Sequence, residues 1–263
     1  MSRVVVKLGG HTLDSLEPTS SVLVDLAGDV LELGRGGTDV VIVHGGGPQI
    51  AELLLRLGLE SRFCDGLRVT DSMTMTVVAM ALSTVNLRIS AALNRAGLRC
   101  VGLSGADASL VRARSLGDPW DRAGTPVAIV DDFLTQCWAG GVTPVLSSVA
   151  VDEFGELLNC NADAVAGALA GALDATSLIL LSDVDQLRSD PHDPDSSLAL
   201  ATAKDVRDLV RSGAAREGMR PKMIAALEAL DAGALRVVMA NGTRDHALRD
   251  ALAGLIPTTE VVR

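Results

Sequence analysis

The sequence predicts an α/β protein, with a mostly parallel central sheet and helices on both faces. Three observations lead there. Short runs such as Val40–Val43 and Ser177–Leu181 are nearly apolar throughout rather than alternating, as strands buried on both faces require. Segments with apolar residues at helical spacing separate these runs. Several runs end in glycine or small polar residues, at the strand ends where ligands gather in such sheets.

Val4–Leu8 is a β-branched run ending at Gly9-Gly10, and Ser20–Leu33 carries Val22, Leu23, Leu26, Val30 and Leu33 at helical spacing. Val40–Val43 is a strand leading into His44-Gly45-Gly46-Gly47-Pro48. Pro48 then sits in the first turn of a helix over Gln49–Leu57. Thr70–Ala96 is one or two long helices rich in Met and Ala. Cys100–Leu103 is a strand ending in Ser104-Gly105. Val127–Val130 and Val142–Leu146 are strands flanking a helix at Asp132–Ala139. Ser177–Leu181 ends at Ser182-Asp183, and Arg236–Met239 ends at Ala240-Asn241-Gly242. Ala203–Ser212, Lys222–Ala232 and Ala247–Ala253 are helical, and the polar stretch 188–197, rich in Asp and Pro, is a surface loop.

Length and composition bound the function. The 263 residues suffice for a full core, as one large domain or two lobes. Only 2% are aromatic, with no Tyr, so base-stacking platforms are not expected. The formal net charge of −10 excludes a global basic footprint for nucleic acid, so an anionic substrate must be met by a local cluster of donors. Cys64, Cys100, Cys137 and Cys160 stand far apart without a CxxC pair, which argues for reduced cysteines in a cytoplasmic protein rather than zinc or disulfides. The N-terminus lacks the apolar core of a signal peptide. No stretch gives the uninterrupted run of about 18 apolar residues that a membrane span needs.

The most informative stretch is Leu158-Asn159-Cys160-Asn161-Ala162-Asp163. It places two carboxamides and a carboxylate just where a small-residue helix, Ala164–Leu173, begins. Free N–H groups at a helix start favour an anion, and Asp163 can hold a cation in register. Capping by Asn161 or Asp163 would also account for the pattern. Gly9-Gly10 and Gly45-Gly46-Gly47 follow separate strands, where glycine lets backbone N–H groups approach an anion. There is no GxxxxGK[ST] and no GxGxxG with a ribose-binding acid, which excludes a P-loop and disfavours a dinucleotide fold.

Lys7 lies inside an apolar strand, either aimed at a phosphate or snorkelling from a sheet edge. Lys222 stands at a helix start, where the dipole disfavours a cation unless an anion is held there. Arg68 suits a carboxylate, or a surface salt bridge. His44 fits a loop-fixing role. Ser104 lacks a His–Asp pattern.

Together these stretches resemble the amino acid kinase family, in its acetylglutamate kinase branch. They are Val6-Lys7-Leu8-Gly9-Gly10, Val43-His44-Gly45-Gly46-Gly47-Pro48, Gly66-Leu67-Arg68-Val69-Thr70-Asp71, Gly102-Leu103-Ser104-Gly105, Asn159-Cys160-Asn161-Ala162-Asp163, Leu180-Leu181-Ser182-Asp183-Val184 and Gly218-Met219-Arg220-Pro221-Lys222.

The resemblance implies an αβα sandwich forming a single domain over 1–263. An N-lobe over about 1–172 would bind the acylated amino acid and carry the dimer contact, and a C-lobe over about 173–263 would bind ATP. It implies ATP-dependent phosphorylation of the γ-carboxylate of N-acetyl-L-glutamate in arginine biosynthesis, with Mg²⁺ held mainly by the nucleotide and no protein metal ligand. Lys7 and Lys222 would stabilise the transferring phosphoryl group, and Asp163 would organise both. Gly10, Gly45 and Gly46 would supply N–H groups. Arg68 and Asn159 would grip the α-carboxylate, with Asn161 lining the same site. Ser182, Asp183, Gly218 and Met219 would border the nucleotide. A side-chain carboxylate is already ionised at pH 7, so this chemistry needs no general base.

The sequence departs from the resemblance at Ala106-Asp107-Ala108, where many relatives carry Lys-Asp-Gly, and at Leu87-Arg88, where Lys-Glu is common. Both bear on substrate contacts and lobe packing. Only six residues precede Lys7, which leads to the expectation of a homodimer insensitive to arginine, without membrane or nucleic-acid partners. Two other readings stand beside this one. A kinase for carrier-linked 2-aminoadipate would need a basic docking face, for which Arg88, Arg95, Arg99, Arg112 and Arg114 are candidates. A non-catalytic regulator would have no use for both lysines with Asp163.

Overall fold

The structure is a computed structural model, and the residues it describes are 2–9, 13, 17, 19–190, 193, 195–213 and 219–263. In chain order the elements begin with β1 (Ser2–Leu8), α1 (Ser21–Arg35), β2 (Thr38–His44), α2 (Gly47–Arg56), β3 (Phe63–Cys64), β4 (Leu67–Arg68) and α3 (Ser72–Arg95). There follow β5 (Cys100–Ser104), β6 (Val111–Gly117), β7 (Asp121–Ile129), α4 (Asp132–Ala139), β8 (Thr143–Ser147), β9 (Val149–Val151), β10 (Leu157–Cys160) and α5 (Ala162–Ala172). The remainder are β11 (Ser177–Ser182), β12 (Leu187–Arg188), β13 (Ser197–Leu198), β14 (Leu200–Thr202), α6 (Ala203–Ser212), α7 (Arg220–Ala232), β15 (Val237–Asn241), α8 (Ala247–Ala253) and β16 (Thr258–Val262).

Eight strands form the main sheet in the order β14-β16-β15-β11-β1-β2-β8-β5. The pairs from β15 to β5 are parallel, and β16 runs antiparallel to β15. β1 lies in the middle, so Lys7 is not on an edge strand. Side chains alternate across the sheet as a period of two requires. Val5, Val41, Leu178 and Leu180 face a core shared with α4, α5, α6 and α7. Val4, Val6, Ile42, Ile179 and Leu181 face a second core shared with α1, α3 and α8. The result is three layers, αβα, as the strand pattern predicts.

Three departures from the sequence reading matter. No barrel was expected after the strand at Val142–Leu146: β8 stays in the main sheet, while past Ser148 β9 joins β6, β7 and β10 in a small closed barrel. The strand expected at Val127–Val130 is the end of the longer β7. The predicted loop at 188–197 spans the ends of β12 and β13, which pair antiparallel.

Local signals set several helix limits. Thr202 and Asp205 form a reciprocal capping box on α6, and Gly213 ends it in the left-handed region. Asp71 caps α3 by accepting from the Thr74 amide. By length and composition α3 could cross a membrane, but 56% of its apolar window is buried within the fold. Polar residues such as Thr84, Asn86 and Arg88 also interrupt it.

The packing of α5 on α7 fixes the site. Gly167 lies against the Ala225 backbone, and a Cβ on Gly171 would fall 2.3 Å from the Cβ of Ala232. Contacts therefore advance together along both helices, which run side by side in the same direction. Their N-termini open at the same place, beside the carboxyl ends of β1, β2 and β11.

Candidate active site

A cleft of about 300 Å³ opens at the carboxyl ends of β1 and β2 and the start of α5. Lys7, Gly9, Gly45, Gly46, Arg68, Asn159, Asn161 and Asp163 all line it. Asp163, in the first turn of α5, is 5% exposed. Its Oδ1 lies 2.9 Å from Lys7 Nζ, and its Oδ2 lies 3.6 Å from Lys222 Nζ. The structure thus brings together two ammonium groups from opposite ends of the chain on the two oxygens of one carboxylate. Burial opposes ionisation of Asp163, but Lys7 and Lys222 outweigh it and hold the carboxyl below its ordinary range. Burial also draws the Lys7 ammonium below the ordinary lysine range, with Asp163 opposing and Lys222 adding to the shift.

Gly9 is what admits the Lys7 ammonium. A Cβ on Gly9 would lie 2.1 Å from Lys7 Nζ, a flexible tip that would move rather than the backbone. Gly9→Ala is therefore expected to lower kcat about 100-fold by displacing the ammonium. Stability should fall by about 1–3 kcal/mol, because no backbone has to give but the buried ammonium is pushed off its partner Asp163. Steady-state turnover and urea unfolding of the same preparation check both halves.

Asn161 settles part of the earlier choice. It is the N-cap of α5, and its Oδ1 accepts from the amides of Asp163 and Ala164, while the residue also lines the cleft. Asp163 is not the cap.

Arg68 is buried rather than a surface ion pair. Its Nη1 donates to Ser61 Oγ, its Nη2 donates to the Gly47 carbonyl at 3.2 Å, and its guanidinium stacks 4.7 Å from the Phe63 ring. A guanidinium has five N–H donors, so capacity remains for a carboxylate in the cleft. Asn159 Nδ2 donates to Thr70 Oγ1 at 3.0 Å.

His44 is fully buried. Its Nδ1–H donates to the Gly45 carbonyl at 2.9 Å and its Nε2 accepts from Asn86 Nδ2 at 2.9 Å, so it pins the glycine corner as a neutral ring. Burial pushes its pKa down to about 4, against an ordinary 6.5. Between those values the unfolded chain binds a proton that the native chain refuses. Stability from this group is therefore full above pH 6.5 and falls by about 1.4 kcal/mol per unit as pH drops towards 4. Urea midpoints across that window should show the slope in the parent and a flatter one in His44→Gln.

Ser182 ends β11 beside Lys7's strand, and Asp183 follows it, exposed and close enough to act on the Lys7 charge. The Gly242 amide donates to the Ser182 carbonyl at 2.7 Å, and Arg244 pairs with Asp185 at 2.8 Å, tying together the loops after β15 and β11. Met219 is the N-cap residue of α7. Gly10 and Gly218 lie outside the described residues. The sequence reading gave Gly9 a backbone N–H role rather than the room it leaves for the Lys7 ammonium, and gave Thr70 no role at the site. A glycine two residues after a strand-buried lysine was the available signal for the first, whereas the second depends on a contact to Asn159 far along the chain.

Comparison with known proteins places the chain in a family. The model of the amino acid kinase family matches residues 2–241. The chain is 38% identical over 255 residues to an acetylglutamate kinase of Symbiobacterium thermophilum, covering 93% of this chain and 86% of that one. It is 43% identical over 248 residues to an acetylglutamate kinase of a Synechococcus strain, covering 94% and 86%. Among solved structures, the N-acetylglutamate synthase of Neisseria gonorrhoeae, complexed with coenzyme A and N-acetyl-glutamate, superposes with a TM-score of 0.83 at 25% identity, covering all of this chain and 59% of that one. With its layered sheet and its paired lysines on a buried aspartate, this chain belongs to the amino acid kinase family.

Proposed function

We propose that the chain transfers the γ-phosphoryl group of ATP to the γ-carboxylate of N-acetyl-L-glutamate, forming N-acetylglutamyl 5-phosphate for arginine biosynthesis. The observation that carries this reading is the pairing of Lys7 and Lys222 on Asp163 where two helix N-termini converge. Phosphoryl transfer to a carboxylate that is already ionised depends on positioning and charge neutralisation, and this arrangement is built for both. Asp163 holds the two ammonium groups on either side of the transferring phosphoryl. Gly45 and Gly46 offer N–H groups to the phosphate, as Gly10 would from outside the described residues. Arg68 takes the substrate α-carboxylate and Asn159 orients it, while Asn161 fixes the first turn of α5 beneath them.

Residues from about 1 to 172 serve the acyl amino acid and those from about 173 to 263 the nucleotide, with Ser182, Asp183, Met219 and Gly218 at its border. Both Asp163 oxygens face ammonium groups, which does not suit the carboxylate to metal ligation. Mg²⁺ is accordingly carried on the nucleotide phosphates, where it neutralises charge. The enzyme is read as cytoplasmic and as a homodimer. Met73, Met80 and Leu87 leave an exposed apolar stripe at seven-residue spacing on α3 that suits a second copy. The names of the relatives favour free acetylglutamate over a carrier-linked substrate.

The test is ADP release. It should depend on acetylglutamate and fall about 1,000-fold in Lys222→Met. Turnover indifferent to acetylglutamate, or to loss of that lysine, would sink the assignment.

A further inference from the structure

Thr70 is fully buried behind the cleft wall, yet its hydroxyl bonds the backbone of one residue assigned to the substrate carboxylate, Arg68, and the side chain of the other, Asn159. Its backbone is stitched to the start of β7: the Thr70 amide donates to the Trp120 carbonyl at 3.2 Å, and the Arg122 amide donates to the Thr70 carbonyl at 2.9 Å. Asn159 is anchored to the same strand, opposite Ala123 in the β10–β7 pairing. Both residues therefore hang from one rigid element of the barrel, and their separation is fixed by strand geometry.

The Thr70 hydroxyl has one proton, which it donates to the Arg68 carbonyl at 2.8 Å. Towards Asn159 it can then only accept. It does so from Nδ2 at 3.0 Å, and so selects one of the two orientations of the amide. A flipped Asn159 would set Oδ1 against a hydroxyl oxygen with no proton between them. In the selected orientation Oδ1 and the second Nδ2 proton remain for a ligand, since the Asn159 side chain makes no other hydrogen bond among the described residues.

We propose that Thr70 is a positioning residue for the acyl amino acid: by fixing the Asn159 amide, it presents an acceptor and a donor beside the Arg68 guanidinium. An N-acyl α-amino acid matches that pair of groups. Its α-carboxylate meets Arg68 and the second Asn159 proton, and its amide N–H meets Oδ1. The proposal rests on the acetylglutamate reading and adds what orients the substrate. Because Thr70 bonds neither the lysines nor the residues assigned to the nucleotide, its effect falls on substrate binding.

The experiment compares wild type, Thr70→Val and Thr70→Ser in kcat and in KM for each substrate. Losing the hydroxyl while keeping the shape frees the amide, so Thr70→Val should raise KM for acetylglutamate about 10- to 30-fold. Its kcat should stay within about threefold, and KM for ATP should not move. Thr70→Ser should restore KM for acetylglutamate to within about threefold of wild type, because it returns the hydroxyl. An unchanged KM for acetylglutamate in Thr70→Val overturns the proposal. So does an equal loss of kcat that Thr70→Ser fails to rescue, which would mark a merely structural residue. Should Thr70→Val not fold, Thr70→Ala reads the same quantities. A wild type inert towards acetylglutamate would instead overturn the functional reading itself, which keeps the two failures distinct.

Discussion

Asp163→Asn is expected to lower kcat by about 1,000-fold and to cost about 3–5 kcal/mol of stability. The substitution keeps the shape and removes the charge that both ammonium groups share. Lys7 and Lys222 would then face each other in a buried site with no carboxylate between them. Asp163 raises the Lys7 pKa against burial, so its loss lets that pKa fall further. Residual activity should decline on the alkaline side at lower pH than in wild type, because deprotonation removes the charge that catalysis uses. A pH profile of ADP release with a urea titration checks all three effects. A variant with wild-type kcat would mean that the carboxylate does not organise the lysines.

Gly171→Val is expected to destabilise the fold by about 3 kcal/mol, the upper range for overpacking a tight interface. The contact it meets is the Cβ and backbone of Ala232, not a flexible tip, so α5 and α7 must separate. That movement draws Lys222 away from Asp163, so kcat should fall in whatever fraction remains folded. The contrast with Gly9→Ala is diagnostic. There a mobile ammonium yields and activity suffers more than stability, whereas here a helix yields and stability suffers first. Unchanged urea midpoints for Gly171→Val would show that the helices pack more loosely than the contact distance implies.

Much of the fold was legible because local chemistry and long-range packing agree. The limits of α6 and α8 match the sequence reading: a capping box opens α6, and Gly213 and Gly254 close the two helices in the left-handed region. The central strands declared themselves by apolar runs buried on both faces. The barrel did not. β6 alternates small buried Ala113 with exposed Arg112 and Arg114, and β9 is apolar but only three residues long, so neither marks a strand by itself. β16 lies antiparallel at the sheet margin and also escaped notice.

At the site, a buried lysine in a strand and a lysine at a helix start each looked out of place, and that conflict pointed to function. Thr70 was read as the start of a helix, where a β-branched polar residue raises no conflict. Its bond to Asn159 exists only once β7 has gathered both segments.

The central place of β1 bears on how the chain is made. One side of Val4–Leu8 can pair with β2 as soon as residues 38–44 emerge. The other side waits for β11, so an apolar strand with an unpaired rim persists through most of synthesis. Such a rim is a template for pairing between nascent molecules. A product that stopped short of Ser177 would carry it permanently, and adjacent ribosomes on one message would bring several copies of it close together.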